Sequence, residues 1–325
     1  MTRAKPTPVR LVVPRPPCKS KWSTIKTHLW PLARRVSCWS VPRVISRGKG
    51  VRIFDEQGKE YIEAMAGLWC TSLGFDNERL VQAAANQMRK LPFYHSFTAK
   101  SHEPMIDLAE MLIERAPVPM SKVFFANSGS EANDSAIKMI WYMNNALGRP
   151  EKKKLIARLK GYHGITLAAA SLTGLPANHK LFDAPIAGGR FHHVGTPHHY
   201  HNAKPGESEE DFATRLAQEL DDYIIQEGPE TVAAFWAEPT MGAGGVIVPP
   251  RTYFEKIQAV LKKHDVLFVA DEVICGFGRT GNYWGCQTFG ITPDILVCAK
   301  ALSSSYLPIS AVMVNERVFQ GIVEG

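Results

Sequence analysis

The run Val266-Leu267-Phe268-Val269-Ala270 is apolar at every position, with no polar alternation. Such a run suits a strand buried on both faces, as in a parallel sheet, rather than one with a wet face. It stops at two acids, Asp271 and Glu272; a second run, Ile295–Ala299, stops at Lys300. Shorter segments at Lys122–Phe125, Lys154–Arg158 and Val232–Ala237 read as further strands. Helical spacing lies between and before them. Asn77–Lys90 places Leu80, Ala83, Ala84 and Met88 on one face, and Glu103–Ala116 ends at Pro117 and Pro119. Glu131–Leu147 carries the stripe Ala136, Ile137, Ile140 and Trp141 and is closed by Gly148 and Pro150. A small-residue helix runs through Ala168–Ala170, and Asp211–Glu227 and Tyr253–His264 follow. Upstream, Val51–Phe54 and Lys59–Ala64 flank Asp55-Glu56-Gln57-Gly58 as strand, turn, strand. This alternation predicts an α/β fold, with a mostly parallel central sheet and helices on both faces. No internal repeat is present.

In open α/β sheets, ligands sit beyond the carboxyl ends of the strands. Asp271 and Lys300 each stand at such an end, so an acid and an amine can face one crevice. Pyridoxal phosphate chemistry needs that pair: a lysine to form a Schiff base and an acid to keep the pyridine nitrogen protonated. The plain alternative is a strand-end acid and a surface lysine. Ser128-Gly129-Ser130 lies between strand and helix, where glycine and free N–H groups can cradle a phosphate; the same residues also suit an ordinary helix cap. Tyr162, between Gly161 and Gly164, either stacks on a flat ligand or packs at a turn. Gly276–Gly281 matches G-x-G-x-x-G, but it lies past the strand and opens no helix, which argues against a dinucleotide site. Gly242-Ala243-Gly244-Gly245 reads as flexible backbone near a site mouth. His192, His193, His198, His199 and His201 form a polar loop rather than a metal cluster, since no Cys or carboxylate is woven among them.

Charge alters one part of this picture. The formal net charge is +7, yet residues 1–54 hold 13 Lys and Arg and no acid. The remainder carries 25 basic and 31 acidic residues, so a nucleic-acid surface is not expected. No apolar stretch is long enough to cross a bilayer. Six cysteines without a C-x-x-C pair fit a reducing compartment. Residues 1–44 are basic and acid-free with seven prolines, the composition of an organellar transit peptide, with any amphipathic helix near Trp22–Val36.

Taken together, seven segments resemble the class III aminotransferases, pyridoxal phosphate enzymes of fold type I. They are GLWCTSLGF at 67–75, LPFYHSF at 91–97, FFANSGSEANDSAIK at 124–138, GYHGIT at 161–166, AEPTMGAGG at 237–245, VADEVICGFGRTG at 269–281 and AKALSS at 299–304. They occur in the family's order over about 280 residues, and several stretches look most like plant γ-aminobutyrate transaminases. The resemblance implies roles. Lys300 would be catalytic and hold pyridoxal 5′-phosphate as a Schiff base. Asp271 would pair with the pyridine nitrogen, and Gly129 and Ser130 would bind the phosphate. Tyr162 would stack on the ring and border the substrate, with Val273 on the opposite face. Glu238 would support the site and, with Tyr162 and Trp69, belong to the substrate-binding set, Trp69 lining the substrate pocket. No metal is implied.

The implied reaction moves the amino group of 4-aminobutanoate to pyruvate or glyoxylate. The products are succinate semialdehyde and alanine or glycine, made in a homodimer located in the mitochondrion, with plastid or cytosol as alternatives. The implied domains are a tail at 1–44, the N-terminal part of a small domain and the entry to the large domain at 45–100, and a large cofactor-binding domain at 101–325. Family members continue well past the lysine, so the small domain is expected to be incomplete and cofactor binding and turnover weak. Three readings compete with a GABA transaminase: another ω-amino-acid transaminase, a racemase, aminomutase or decarboxylase on the same fold, and a shortened paralogue that pairs with a full-length subunit.

Overall fold

The computed structural model describes residues 44–324, so the basic tail and its transit-peptide reading lie outside the described residues. The chain divides into two compact units, one reaching Arg47 and including Phe54–Glu60, the other formed by Gly48–Ile53 and everything from Tyr61 onward. In the first, Ser46 Oγ donates to the carbonyls of Phe54 (3.2 Å) and Asp55 (2.9 Å). The Arg47 guanidinium lies 3.5 Å from the centre of the Phe54 ring. Strands at Arg52–Asp55 and Glu60–Ile62 realise the expected strand–turn–strand.

The second unit is built on a seven-stranded sheet. Its strands are β1 (Lys122–Ala126), β2 (Lys154–Arg158), β3 (Phe191–Val194), β4 (Val232–Ala237), β5 (Leu267–Asp271), β6 (Ile295–Cys298) and β7 (Ser310–Val314). Their spatial order is β1-β7-β6-β5-β4-β2-β3. From β6 to β3 every pairing is parallel. β7 is antiparallel to both of its neighbours. β1 therefore points the same way as the parallel set, and six strands end at one edge.

The helices of six or more residues are α1 (Glu78–Lys90), α2 (Glu103–Glu114), α3 (Gly129–Ala146), α4 (Leu167–Leu172), α5 (Glu209–Glu227), α6 (Tyr253–Lys263) and α7 (Glu316–Val323). α3 starts where Ser128, in extended backbone, accepts the Glu131 N–H at 3.2 Å. It ends at Gly148, whose φ of +68° a side chain would disfavour. α5 begins in the same way, with Ser208 as cap and Glu209, Glu210 and Asp211 in the first turn, where acids complement the helix dipole.

Both sheet faces are covered, as the unbroken apolar runs require. On one face Phe235, Phe268, Leu296 and Met313 pack with Phe212, Leu216 and Leu220 of α5 and Phe254, Ile257 and Leu261 of α6. On the other, Trp236, Val269, Val297 and Val312 pack with Ala136, Ile137 and Ile140 of α3 and Val318 of α7. Every residue of β4, β5, β6 and β7 is buried.

Three elements, β3, β7 and α7, differ from expectation, and His199 and His201 of the expected polar loop lie in a one-turn helix, His199–Asn202. His192 and His193 belong to edge strand β3 and not to a loop. The polar residues interrupt its apolar run, because each finds a partner at the sheet edge. His193 Nε2 lies 2.9 Å from the Leu172 carbonyl and His192 Nδ1 lies 2.6 Å from the Tyr223 hydroxyl. Among the described residues no group of His, Cys, Asp or Glu could hold a metal ion. β7 and α7 were also not foreseen, since periodicity says nothing about the sense in which a strand joins a sheet. No helix among the described residues is long and apolar enough to cross a membrane, and Cys70, Cys275, Cys286 and Cys298 are free thiols.

Leu296 is fully buried in β6, whereas Leu167 is 67% exposed. Leu296→Ala is expected to lower unfolding free energy by about 2–5 kcal/mol and Leu167→Ala by less than about 0.5 kcal/mol. Urea unfolding of both variants checks this. Equal effects would contradict the placement of the core.

Candidate active site

A cavity of about 430 Å³ opens at the edge where the parallel strands end. Five of the six strands that end there contribute: Asn127–Ser130 after β1, Tyr162–Gly164 after β2, Glu238 after β4, Asp271, Val273 and Ile274 at the end of β5, and Ala299 and Lys300 after β6. Because β7 runs the other way, its start lies at the same edge and brings Leu307, Pro308 and Ile309 to the wall.

Asp271 is 2% exposed. Its Oδ2 faces two nitrogens, His163 Nδ1 at 2.8 Å and Asn133 Nδ2 at 3.0 Å. Among the described residues, its Oδ1 accepts only the Val273 N–H, at 3.1 Å. A carboxylate oxygen can accept two donors, so Oδ2 is filled and Oδ1 has room for one more. The neighbouring acid is turned away. Glu272 accepts the N–H groups of Cys286 (2.6 Å) and Gly285 (3.0 Å) and anchors that segment. Burial raises its pKa.

Lys300 follows β6 with φ +47°, in the left-handed region. Burial lowers its pKa below the ordinary lysine value, against the opposing attraction of Asp271. Glu238 is also buried, which raises its pKa. Its Oε1 accepts the Tyr162 N–H at 3.0 Å and its Oε2 the Gly242 N–H at 2.9 Å. Beneath it the buried Arg158 guanidinium donates to the Glu238 carbonyl at 2.5 Å. Tyr162 lines the cavity, and burial followed by the charge of Asp271 raises its pKa.

The start of α3 makes the other end of the cavity. Within its first turn, the Glu131 N–H goes to Ser128 Oγ and the Ala132 N–H to the Ser128 carbonyl. The N–H groups of Gly129 and Ser130 precede these and have no helical acceptor. A Cβ on Gly129 would lie 3.1 Å from Val273 Cγ2, and one on Gly164 would lie 2.5 Å from Ser130 Oγ. The backbone approaches closely because no side chain intervenes. Ser128 thus caps the helix and also lines the cavity, so both readings of that motif hold together. Free N–H groups at the helix start, an amine, and an acid with a spare acceptor position are the features that pyridoxal phosphate requires, and the residues fit it.

The structure brings Gly129, Ser130, Tyr162, Glu238, Asp271, Val273 and Lys300 to one cavity. Trp69 is not among the lining residues; its carbonyl accepts from Arg279 at 3.1 Å. The Gly242–Gly245 segment is tied back by the Glu238 carboxylate and by a Met241–Ile247 bridge. Gly276–Gly281 forms turns, with a helix only at Gly285–Phe289. Sequence reasoning missed His163, Asn133 and Trp236. The available signal was an asparagine, Asn133, beside the apolar stripe of α3.

A family model described as aminotransferase class-III matches residues 35–325. The chain is 57% identical over 278 residues to "Gamma aminobutyrate transaminase 3, chloroplastic" of Solanum lycopersicum, covering 85% of this chain and 53% of that protein. It is 56% identical to "Gamma-aminobutyrate transaminase 1, mitochondrial" of Oryza sativa subsp. japonica, again over 85% of this chain and 54% of that one. The chain spans about half the length of these curated relatives. Among solved structures, an omega transaminase from Pseudomonas jessenii in complex with PMP superposes with a TM-score of 0.86 at 62% identity, covering 89% of this chain and 65% of that one.

Glu238→Gln would set an NH2 group against one of the two N–H donors that the carboxylate accepts. The variant is expected to lose about 1–3 kcal/mol of stability, read by thermal or urea unfolding. Wild-type stability would show that the two hydrogen bonds are dispensable.

Proposed function

The chain belongs to the class III aminotransferase family, and we propose that it binds pyridoxal 5′-phosphate and moves the amino group of 4-aminobutanoate to pyruvate or glyoxylate. One observation carries the reading: Lys300 and Asp271 open on one cavity from adjacent strands, with the glycine-bearing start of α3 as a further part of its wall. The names of the tomato and rice relatives support the donor.

When bound, the cofactor supplies an aldehyde that links to amines and a ring that withdraws electrons from the adjacent bond. We assign its covalent attachment to Lys300. Burial lowers the Lys300 pKa and so favours the neutral amine that would take a proton from the substrate carbon bearing nitrogen. Asp271 uses the open position on Oδ1 to hold a proton at the ring nitrogen. Gly129 and Ser130 bind the phosphate through N–H groups at the positive end of α3. Tyr162 and Val273, which line the cavity, would hold the ring between them, and Tyr162 would also border the substrate. Glu238 fixes the backbone that carries Tyr162, and Trp69 is assigned to the substrate side.

The apolar wall of Ile274, Leu307 and Ile309 favours a second donor class, ω-amines without a carboxylate. We further assign residues 45–100 to the start of a small domain and 101–325 to the large domain. The assembly is a homodimer, in a mitochondrial compartment or else in plastid or cytosol; relatives carry both organellar names.

Borohydride reduction after loading with pyridoxal phosphate is expected to label Lys300. 4-Aminobutanoate plus pyruvate is expected to yield alanine, and Lys300→Ala to lower that rate by at least about 10²–10⁴-fold. A label elsewhere, or wild-type turnover in Lys300→Ala, sinks the reading. Faster turnover of a carboxylate-free ω-amine would select the second donor class. With pyruvate saturating, the rate should rise with pH as Lys300 loses its proton and level off below the ordinary lysine range. A limb at the unshifted lysine value would contradict the burial argument.

A further inference from the structure

Asn133 is a polar residue in the buried part of α3, 1% exposed. Its side-chain nitrogen donates to the His163 carbonyl at 2.7 Å and to Asp271 Oδ2 at 3.0 Å. Its side-chain oxygen accepts from the indole Nε1 of Trp236 at 2.9 Å. An indole N–H can only donate and a backbone carbonyl can only accept. The amide orientation is therefore settled by chemistry, with oxygen to Trp236 and nitrogen to Asp271. A flipped amide would set N–H against N–H on one side and oxygen against two acceptors on the other.

The placement joins parts of the site that lie far apart in sequence. Asn133 stands one turn after Gly129 and Ser130 on α3. Trp236 is on β4 and Asp271 ends β5, the adjacent strand. One helix thus carries both the N–H groups of the proposed phosphate end and a donor to the acid of the proposed ring end.

We propose that the Trp236–Asn133 pair is a positioning device: together with His163 Nδ1 it occupies Asp271 Oδ2 and so reserves Oδ1 for the ring nitrogen of the cofactor. The proposal rests on the pyridoxal phosphate reading above. Without Asn133, Oδ2 keeps a single nitrogen partner, and the carboxylate can rotate and divide its two oxygens between His163 and a ligand.

The test uses the full chain and two ligands, pyridoxal 5′-phosphate and its analogue with CH in place of the ring nitrogen. Affinities come from equilibrium dialysis and folding is followed by circular dichroism. Asn133→Ala should weaken the natural cofactor while leaving the analogue nearly unchanged, so the affinity ratio between them falls by about tenfold. Trp236→Phe keeps the packing, removes only the N–H, and should lower the ratio in the same direction by less. It serves as the readout if Asn133→Ala does not fold. If both ligands weaken equally, or neither changes, Asn133 only supports α3 and the proposal is overturned. A wild-type chain that binds neither compound removes the cofactor reading and the proposal with it.

Discussion

Burial of the sheet on both faces is the constraint on which the rest depends. β4, β5, β6 and β7 have no exposed residue, so along these strands no polar side chain can sit without a partner. Polar chemistry is therefore pushed to the strand ends. Six strands share a direction, and their ends collect at one edge. The single antiparallel strand adds its beginning to that edge instead of its end. The cavity follows from this arrangement, as does its composition of loops that each supply one or two groups.

Charges at that edge are only partly wet, and their behaviour follows. Glu238 and Glu272 are desolvated and their pKa values rise. Lys300 is desolvated and its pKa falls. Each buried carboxylate is met by N–H donors fixed by the backbone or by neighbouring side chains, so no group relies on one long flexible partner. Arg158 donates to the Glu238 carbonyl, and its positive charge opposes the rise in the Glu238 pKa.

Much of this was legible in the chain because unbroken apolar runs mark doubly buried strands and because Asp271 and Lys300 terminate two of them. Lys154–Arg158 and Val232–Ala237 match the observed strands residue for residue. Edge strands were harder to read. β3 hides behind two histidines whose partners lie on other elements, and no local pattern announces them. The antiparallel sense of β7 depends on the whole sheet. Within the site, residues that face the cavity carried recognisable chemistry. Asn133, behind them, did not: it is interpretable only once Trp236 and Asp271, more than a hundred residues away, are seen beside it.

Lys300 occupies a left-handed backbone conformation with φ +47°, a setting in which glycine would be more comfortable. Its carbonyl is gripped by the N–H groups of Ser303 and Ser305, which hold the turn in place. Here durability and chemistry are at odds. A chain that exchanged this lysine for glycine would shed local strain and a desolvated amine at once, and would become sturdier as it became inert. Heat tolerance is therefore a poor guide to competence at this position, and selection for robustness alone would erode the residue on which the proposed reaction turns.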